Sequence, residues 1–251
     1  MNFNKKTYHY SKQSISWSDI WAVIKVLRSP WLTQGPKVKE FEKAICQYTG
    51  AKYCVAVANG TAALHLAVLA LGRKPGDEGI TSPNTFLASA NCILYAGGTV
   101  KFADIEAETG NIDPTEIEKK ITQKTKVLIP VHFAGQPCDM EKVYAIAKKH
   151  NLFVIEDAAH AIGSEYKGCK VGSCQFSDMT TFSFHPAKTI AMGEGGAVTT
   201  NDKALYEKLL MLRSHGVTKD QARLTQNDGP WYYQMQVLGF NYRLTDIQAA
   251  I

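Results

Sequence analysis

"KVLIPVHFAGQPCDMEKVYAIAKKHNLFVIEDAA", residues 126–159, decides the fold. Its first eight residues, "KVLIPVHF", read as a buried strand. "DMEKVYAIAKKHN" follows with apolar positions at helical spacing, and Asp139 is placed to cap its start. "LFVIEDAA" is a second apolar strand. Strand, helix and strand in so short a span form a crossover unit, and such units join parallel neighbours in a sheet.

The same rhythm continues in both directions. Upstream, "PKVKEFEKAICQYTG" reads as a helix between Pro36 and Gly50. "KYCVAVA" is a strand and "GTAALHLAVLALG" an apolar helix ending at Gly72. "NTFLASANCILYAGG" is a helix, "TVKFADI" a strand, and "DPTEIEKKI" a helix with Asp113 as cap and Pro114 first. Downstream, "DMTTFSFH" and "GAVTT" are strands and "NDKALYEKLLMLRSHG" is a helix. The expected fold class is α/β, a three-layer α/β/α sandwich. Its mostly parallel sheet is covered on both faces, and ligands sit at the carboxyl ends of the strands. "YRLTDIQAAI" opens one more helix with Thr245 as cap, and Ile251 falls in mid-pattern. We therefore expect a fragment, or a chain lacking a C-terminal domain.

The 251 residues are 45% hydrophobic and 20% charged, enough for one sizeable domain. Net charge is +5, but the lysines lie in mixtures such as "KVKEFEK" that read as solvated helix faces. No basic stripe interleaves with aromatics, so nucleic acid is not the expected partner. The opening "MNFNKKTYHYSKQ" lacks the apolar core of a signal peptide, and no run reaches membrane-spanning length. Of the six cysteines, Cys54 and Cys92 sit in apolar runs. Cys169 and Cys174 are the closest pair, and no second pair follows them. The expectation is reduced thiols in the cytoplasm, and no metal.

The chemistry centres on "SFHPAKTIAMGEGG", residues 183–196. A strand-like run ends and Lys188 follows, beside three glycines and a glutamate. Asp157 ends the strand before it, with His160 three residues on. Alone, that Asp-x-x-His pair reads equally as a metal pair or a turn. Taken with a lysine one strand later, it suits pyridoxal 5′-phosphate (PLP). That cofactor needs a carboxylate on its ring nitrogen and a lysine that carries it as a Schiff base. It also needs a phosphate site. "VANGTAALHLA" offers a helix N-terminus after a strand, with the hydroxyl of Thr61. An ordinary capped strand-to-helix turn has the same look. Ser183 can add a second hydroxyl. Phe86, expected to open a helix at a strand edge, could stack on the ring.

These residues occur in the order shown by the DegT/DnrJ/EryC1/StrS sugar aminotransferases. The chain resembles that family from "WLTQGPKVKEFEKAI" to "NYRLTDIQAAI". "NGTAAL", "EDAAHA", "SFHPAKTIAMGEGG" and "GFNYRLTDIQAAI" are the most specific pieces. The resemblance implies the large domain of a fold type I, aspartate-aminotransferase-like PLP transferase. Residues 1–251 would then be an N-terminal segment plus that domain, with the small C-terminal domain missing. It implies Lys188 as the Schiff-base lysine and Asp157 as partner of the ring nitrogen. His160 would lie beside the phenolic oxygen, and Phe86 on the ring face. Thr61, Ala62 and Ser183 would bind the phosphate. Asn241 would reach the phosphate across a homodimer interface, so that the active sites are shared.

Within the family, "HFAGQPCDM" and "LRSHGVTKD…WYYQMQVLGFNYRLTDIQAAI" are most similar to the transaminases of pseudaminic acid synthesis. Those aminate C4 of a UDP-linked 4-keto-6-deoxy-N-acetyl sugar with glutamate as donor. Perosamine synthases and other sugar 4-aminotransferases look much the same. Two departures are expected to matter. Gly79 replaces an apolar strand residue, and Ala191-Met192 replaces a small polar one in the sugar pocket. Two rival readings stand beside this one. The first is a PLP sugar dehydratase, which would carry histidine at position 188. The second is a non-catalytic, dimerising or regulatory relic.

Overall fold

The computed structural model describes residues 11–72 and 74–251. Residues 1–10 of the opening read for a signal peptide lie outside them. One seven-stranded sheet organises the chain. Its strands are β1 (Tyr53–Val57), β2 (Glu78–Thr81), β3 (Thr99–Phe102), β4 (Thr125–Ile129), β5 (Phe153–Asp157), β6 (Met179–Ser183) and β7 (Gly196–Thr200). Across the sheet the order is β1-β7-β6-β5-β4-β2-β3. Strand β7 runs antiparallel to both neighbours, and every other pair is parallel. The physical reason is the connection. No helix lies between β6 and β7, so the chain returns directly beside the strand it left.

Alternation along the strands buries both faces. Val55, Val57, Ile129, Ile155 and Val198 join one core with the helices α3 (Gly60–Ala70) and α7 (Lys203–Arg213). Their neighbours Cys54, Ala56, Phe182 and Ala197 face α2 (Pro36–Thr49) on the other side. Ile80, Leu128 and Val154 continue that second face under α5 (Pro114–Lys120) and α6 (Met140–His150). Helix α3 is buried almost all round, which is why its sequence is apolar without a polar stripe.

The expected caps Asp113, Asp139 and Thr245 each accept a first-turn N–H through the side chain, and Asn59 and Asp202 do the same. Gly50 ends α2 with φ 83°. Three features differ from the sequence reading. Helix α1 (Trp17–Leu27) is an element it does not include, although Ser16 and Asp19 form a capping box at its start. Helix α4 spans Ala88–Tyr95, so Phe86 precedes the helix instead of opening it. Gly79, standing where an apolar strand residue is expected, makes room for a neighbour. A Cβ there would lie 2.5 Å from Ile93 Cδ1 and 3.0 Å from Val127 Cγ1. Ile93 of α4 fills the place of the missing side chain.

Helix α8 (Asp246–Ala250) closes against α2 in a way no local signal shows. Asp246, 1% exposed, accepts the Gly35 N–H at 2.8 Å and the Lys37 N–H at 2.9 Å. It caps α2, whose own N-cap Gly35 has no side chain to do so. Among the described residues no helix is long and apolar enough to cross a membrane.

Candidate active site

The carboxyl ends of β1, β4, β5 and β6 open onto a cavity of about 730 Å³. Thr61, Phe86, Asp157, His160, Ser183 and Lys188 all line it. A second cavity, about 690 Å³, lies between α2, β1 and α7, and none of these residues lines that one.

Lys188 sits in the loop from β6 to β7. Two backbone bonds close its base, from Phe184 N–H to Gly195 O at 2.8 Å and from Met192 N–H to Phe184 O at 2.9 Å. His185 shapes the turn, its Nδ1 accepting the Ala187 N–H at 3.1 Å. Lys188 Nζ lies 2.5 Å from His160 Nε2. Burial lowers the lysine's pKa, and the Asp157 charge only partly offsets it. Burial, and then the charge of Lys188, lower that of His160. Both effects favour the neutral imidazole, whose Nε2 lone pair can accept from the Lys188 ammonium.

Asp157, 5% exposed, ends β5. Its Oδ1 accepts the Ala159 N–H at 3.2 Å, and its Oδ2 lies 2.5 Å from the Ser89 hydroxyl of α4. Nothing in the spacing of the sequence points to Ser89.

At the start of α3, backbones approach one another closely. A Cβ on Gly60 would lie 2.7 Å from Ser183 Cβ, and one on Gly196 would lie 2.3 Å from Asn59 O. Two glycines therefore let the helix start press onto the ends of β6 and β7, where Thr61 and Ser183 line the same cavity. The expected donor Ala62 is engaged elsewhere. It is buried, outside the cavity lining, and its N–H goes to Asn59 Oδ1 at 2.8 Å. The backbone of Gly60 and Thr61 and two hydroxyls remain to face a dianion.

Phe86, 68% exposed, is not a core residue; its ring stands at the cavity wall. Asn241 does not reach the cavity of its own chain. It is exposed and pairs by backbone with Ser214. Met192, expected in the sugar pocket, is 3% exposed and turned into the core with Phe184.

One lining residue, His132, belongs to a buried pair that the sequence reading missed. His132 Nε2 is 2.8 Å from Glu156 Oε2, and Ser177 and Thr180 donate to Oε1 at 2.5 and 2.8 Å. Burial pushes Glu156 up, but His132 and the two hydroxyls outweigh it and hold the carboxyl below its ordinary 4.5. Glu156 and Asp157 are adjacent in sequence, so strand alternation sends one carboxylate behind the sheet end and the other into the site. All six cysteines are free thiols, and among the described residues no group of three or more His, Cys, Asp or Glu could hold a metal.

The UDP-4-amino-4,6-dideoxy-N-acetyl-beta-L-altrosamine transaminase of Campylobacter jejuni is 44% identical over 245 residues, 96% of this chain and 62% of that protein. Helicobacter pylori PseC, an aminotransferase involved in the biosynthesis of pseudoaminic acid, superposes with a TM-score of 0.89 at 38% identity. The match covers 98% of this chain and 64% of PseC. The PLP form of the sugar aminotransferase Spr1654 from Streptococcus pneumoniae gives 0.89 at 34% identity, over 98% and 65%. The chain spans 59–62% of the length of the curated relatives it matches. The family model for the DegT/DnrJ/EryC1/StrS aminotransferases matches residues 13–251, and the chain belongs to that family.

Proposed function

We propose that the protein transfers an amino group from glutamate to C4 of a nucleotide-linked 4-keto-6-deoxy sugar, with PLP as cofactor. The sugar is a UDP-linked N-acetyl sugar on the way to a surface glycan or nonulosonic acid. One observation carries the reading. A lysine amine 2.5 Å from a histidine ring nitrogen shares a cavity with a buried carboxylate and two hydroxyl side chains at a helix start.

The residues fit PLP. The cradle of Gly60, Thr61 and Ser183 suits its phosphate, the exposed Phe86 ring suits its aromatic face, and Asp157 suits its ring nitrogen. When bound, the cofactor supplies an electron sink for the pair left on a substrate carbon that loses its proton. Lys188 anchors it through the amine and, once free, moves a proton at the reacting carbon as base and then acid. Burial lowers its pKa, which favours the unprotonated amine. His160 holds the amine in place, and the Asp157 carboxylate accepts the ring N–H. Asn241, unused in its own cavity, serves the phosphate site of a second copy, so the working unit is a cytoplasmic homodimer. Residues 1–251 comprise an N-terminal segment and the cofactor-binding domain of that protein.

The test uses the full-length protein with glutamate and UDP- or GDP-linked 4-keto-6-deoxy sugars, reading the amino sugar by mass spectrometry. Amine formation on the UDP-linked N-acetyl sugar, abolished by Lys188→Ala, is the expected result. Deoxygenation would favour a dehydratase. Turnover surviving in Lys188→Ala, or borohydride leaving the Lys188 peptide unshifted in mass, would overturn the assignment.

A further inference from the structure

Asp157 is reached from a direction the proposed chemistry does not use. Ser89 lies on α4, is fully buried, and places Oγ 2.5 Å from Asp157 Oδ2. Thr85 Oγ1 lies 2.7 Å from the same Ser89 oxygen, one helical turn earlier in sequence. Among the described residues, the remaining partner of Ser89 Oγ is the Phe86 carbonyl at 3.3 Å.

Proton counting fixes the direction of this chain. An ionised carboxylate can only accept, so Ser89 O–H points at Asp157. The distances agree, since 2.5 Å suits a hydroxyl–carboxylate bond and 3.3 Å to Phe86 is a poor alternative. With its single proton committed, Ser89 Oγ accepts from Thr85. The reverse order would leave Asp157 protonated and donating to Ser89. The direction of the two hydroxyl bonds therefore follows the charge on Asp157. The other titratable groups that feel this carboxylate are Lys188 and His160 across the cavity and Cys92 on α4.

We infer that Thr85 and Ser89 form a two-hydroxyl relay that holds Asp157 as an anion and so keeps the proton on the cofactor's ring nitrogen. Ser89, buried and outside the cavity lining, is a positioning residue that acts through Asp157, and Thr85, which stands in the lining, supports it from the cavity side. The inference rests on the PLP reading above. Removing Ser89 leaves Oδ2 without a donor in a buried setting. With one hydrogen bond to the anion gone, the proton between Asp157 and the ring nitrogen sits closer to the carboxylate.

The test reconstitutes the full-length protein with PLP labelled with ¹⁵N in the ring and records the nitrogen resonance at neutral pH. In Ser89→Ala the resonance moves toward that of an unprotonated pyridine, and kcat falls about tenfold with KM within about twofold. Thr85→Val, isosteric and at a partly exposed position, shifts it the same way by less and covers the case in which Ser89→Ala does not fold. Ser89→Thr, which keeps the hydroxyl, restores the wild-type resonance. A Ser89→Ala resonance that coincides with wild type, even with lower turnover, overturns the relay. So does an unmoved resonance in Thr85→Val. Absence of any bound ring signal in the wild type would instead sink the PLP reading itself.

Discussion

Gly60→Ala places the active site's assembly under direct test. On a helix it is ordinarily a favourable change, worth about 0.5–1 kcal/mol from the reduced freedom of the unfolded chain and better helix propensity. Here the added Cβ would stand 2.7 Å from Ser183 Cβ and 3.1 Å from Ser183 Oγ. The first contact is with an atom fixed to the strand, not the tip of a flexible side chain, so rotation of Ser183 cannot relieve it. Overpacking of this kind costs about 1–3 kcal/mol. The clash therefore outweighs propensity, for a net loss of about 1–2 kcal/mol. That corresponds to a fall in melting temperature of roughly 2–8 °C for a chain of this size. The cofactor should suffer too, because the start of α3 must retreat from β6 and part Thr61 from Ser183. A tenfold loss of PLP affinity corresponds to about 1.4 kcal/mol. Thermal unfolding of the apoprotein and equilibrium titration with PLP read the two effects separately. Gly60→Ala/Ser183→Gly should regain stability without regaining affinity, because it removes the obstacle and the hydroxyl together. A Gly60→Ala protein as stable as wild type, or more so, would refute the argument that this glycine exists for close approach.

Two further outcomes follow from buried carboxylates. Asp246→Ala should cost about 1–3 kcal/mol in urea unfolding, because two N–H groups at the start of α2 lose their partner together; an unchanged midpoint would show that water replaces the cap. Glu156 has its carboxyl held below 4.5 in the folded state, so the unfolded chain takes up that proton first as pH falls. The stability it contributes is present above about pH 4.5 and is lost as pH falls through the folded value. Melting temperature should decline over that acid window, and Glu156→Gln should flatten the decline while lowering stability at neutral pH.

Much of the site could be read along the chain because its parts are local. Asp157 ends an apolar strand, Lys188 follows another, and Thr61 stands where a helix must begin after "VANG". Each position is set by a strand end or a helix cap, and both leave marks within a few residues. Ser89 left none. It lies in an apolar helix as any small residue would, and its role exists only because α4 packs where Asp157 ends β5, 68 positions away in sequence. The Met192 expectation failed for the opposite reason. It was placed in the sugar pocket, but its loop is tied back by the bond from its N–H to the Phe184 carbonyl and its side chain packs in the core.

By itself the sequence determined the alternation of strands and helices, their caps, and the order in which a carboxylate, a lysine and two hydroxyls meet the edge of a sheet. Periodicity and capping are short-range, so a single chain displays them. Only the tertiary structure decided that β7 runs backwards, that Asp246 caps a helix 211 positions away, and that Ser89 reaches Asp157. Those contacts depend on which backbones can approach closely enough to touch, and glycines at 60 and 196 set that limit with atoms they lack.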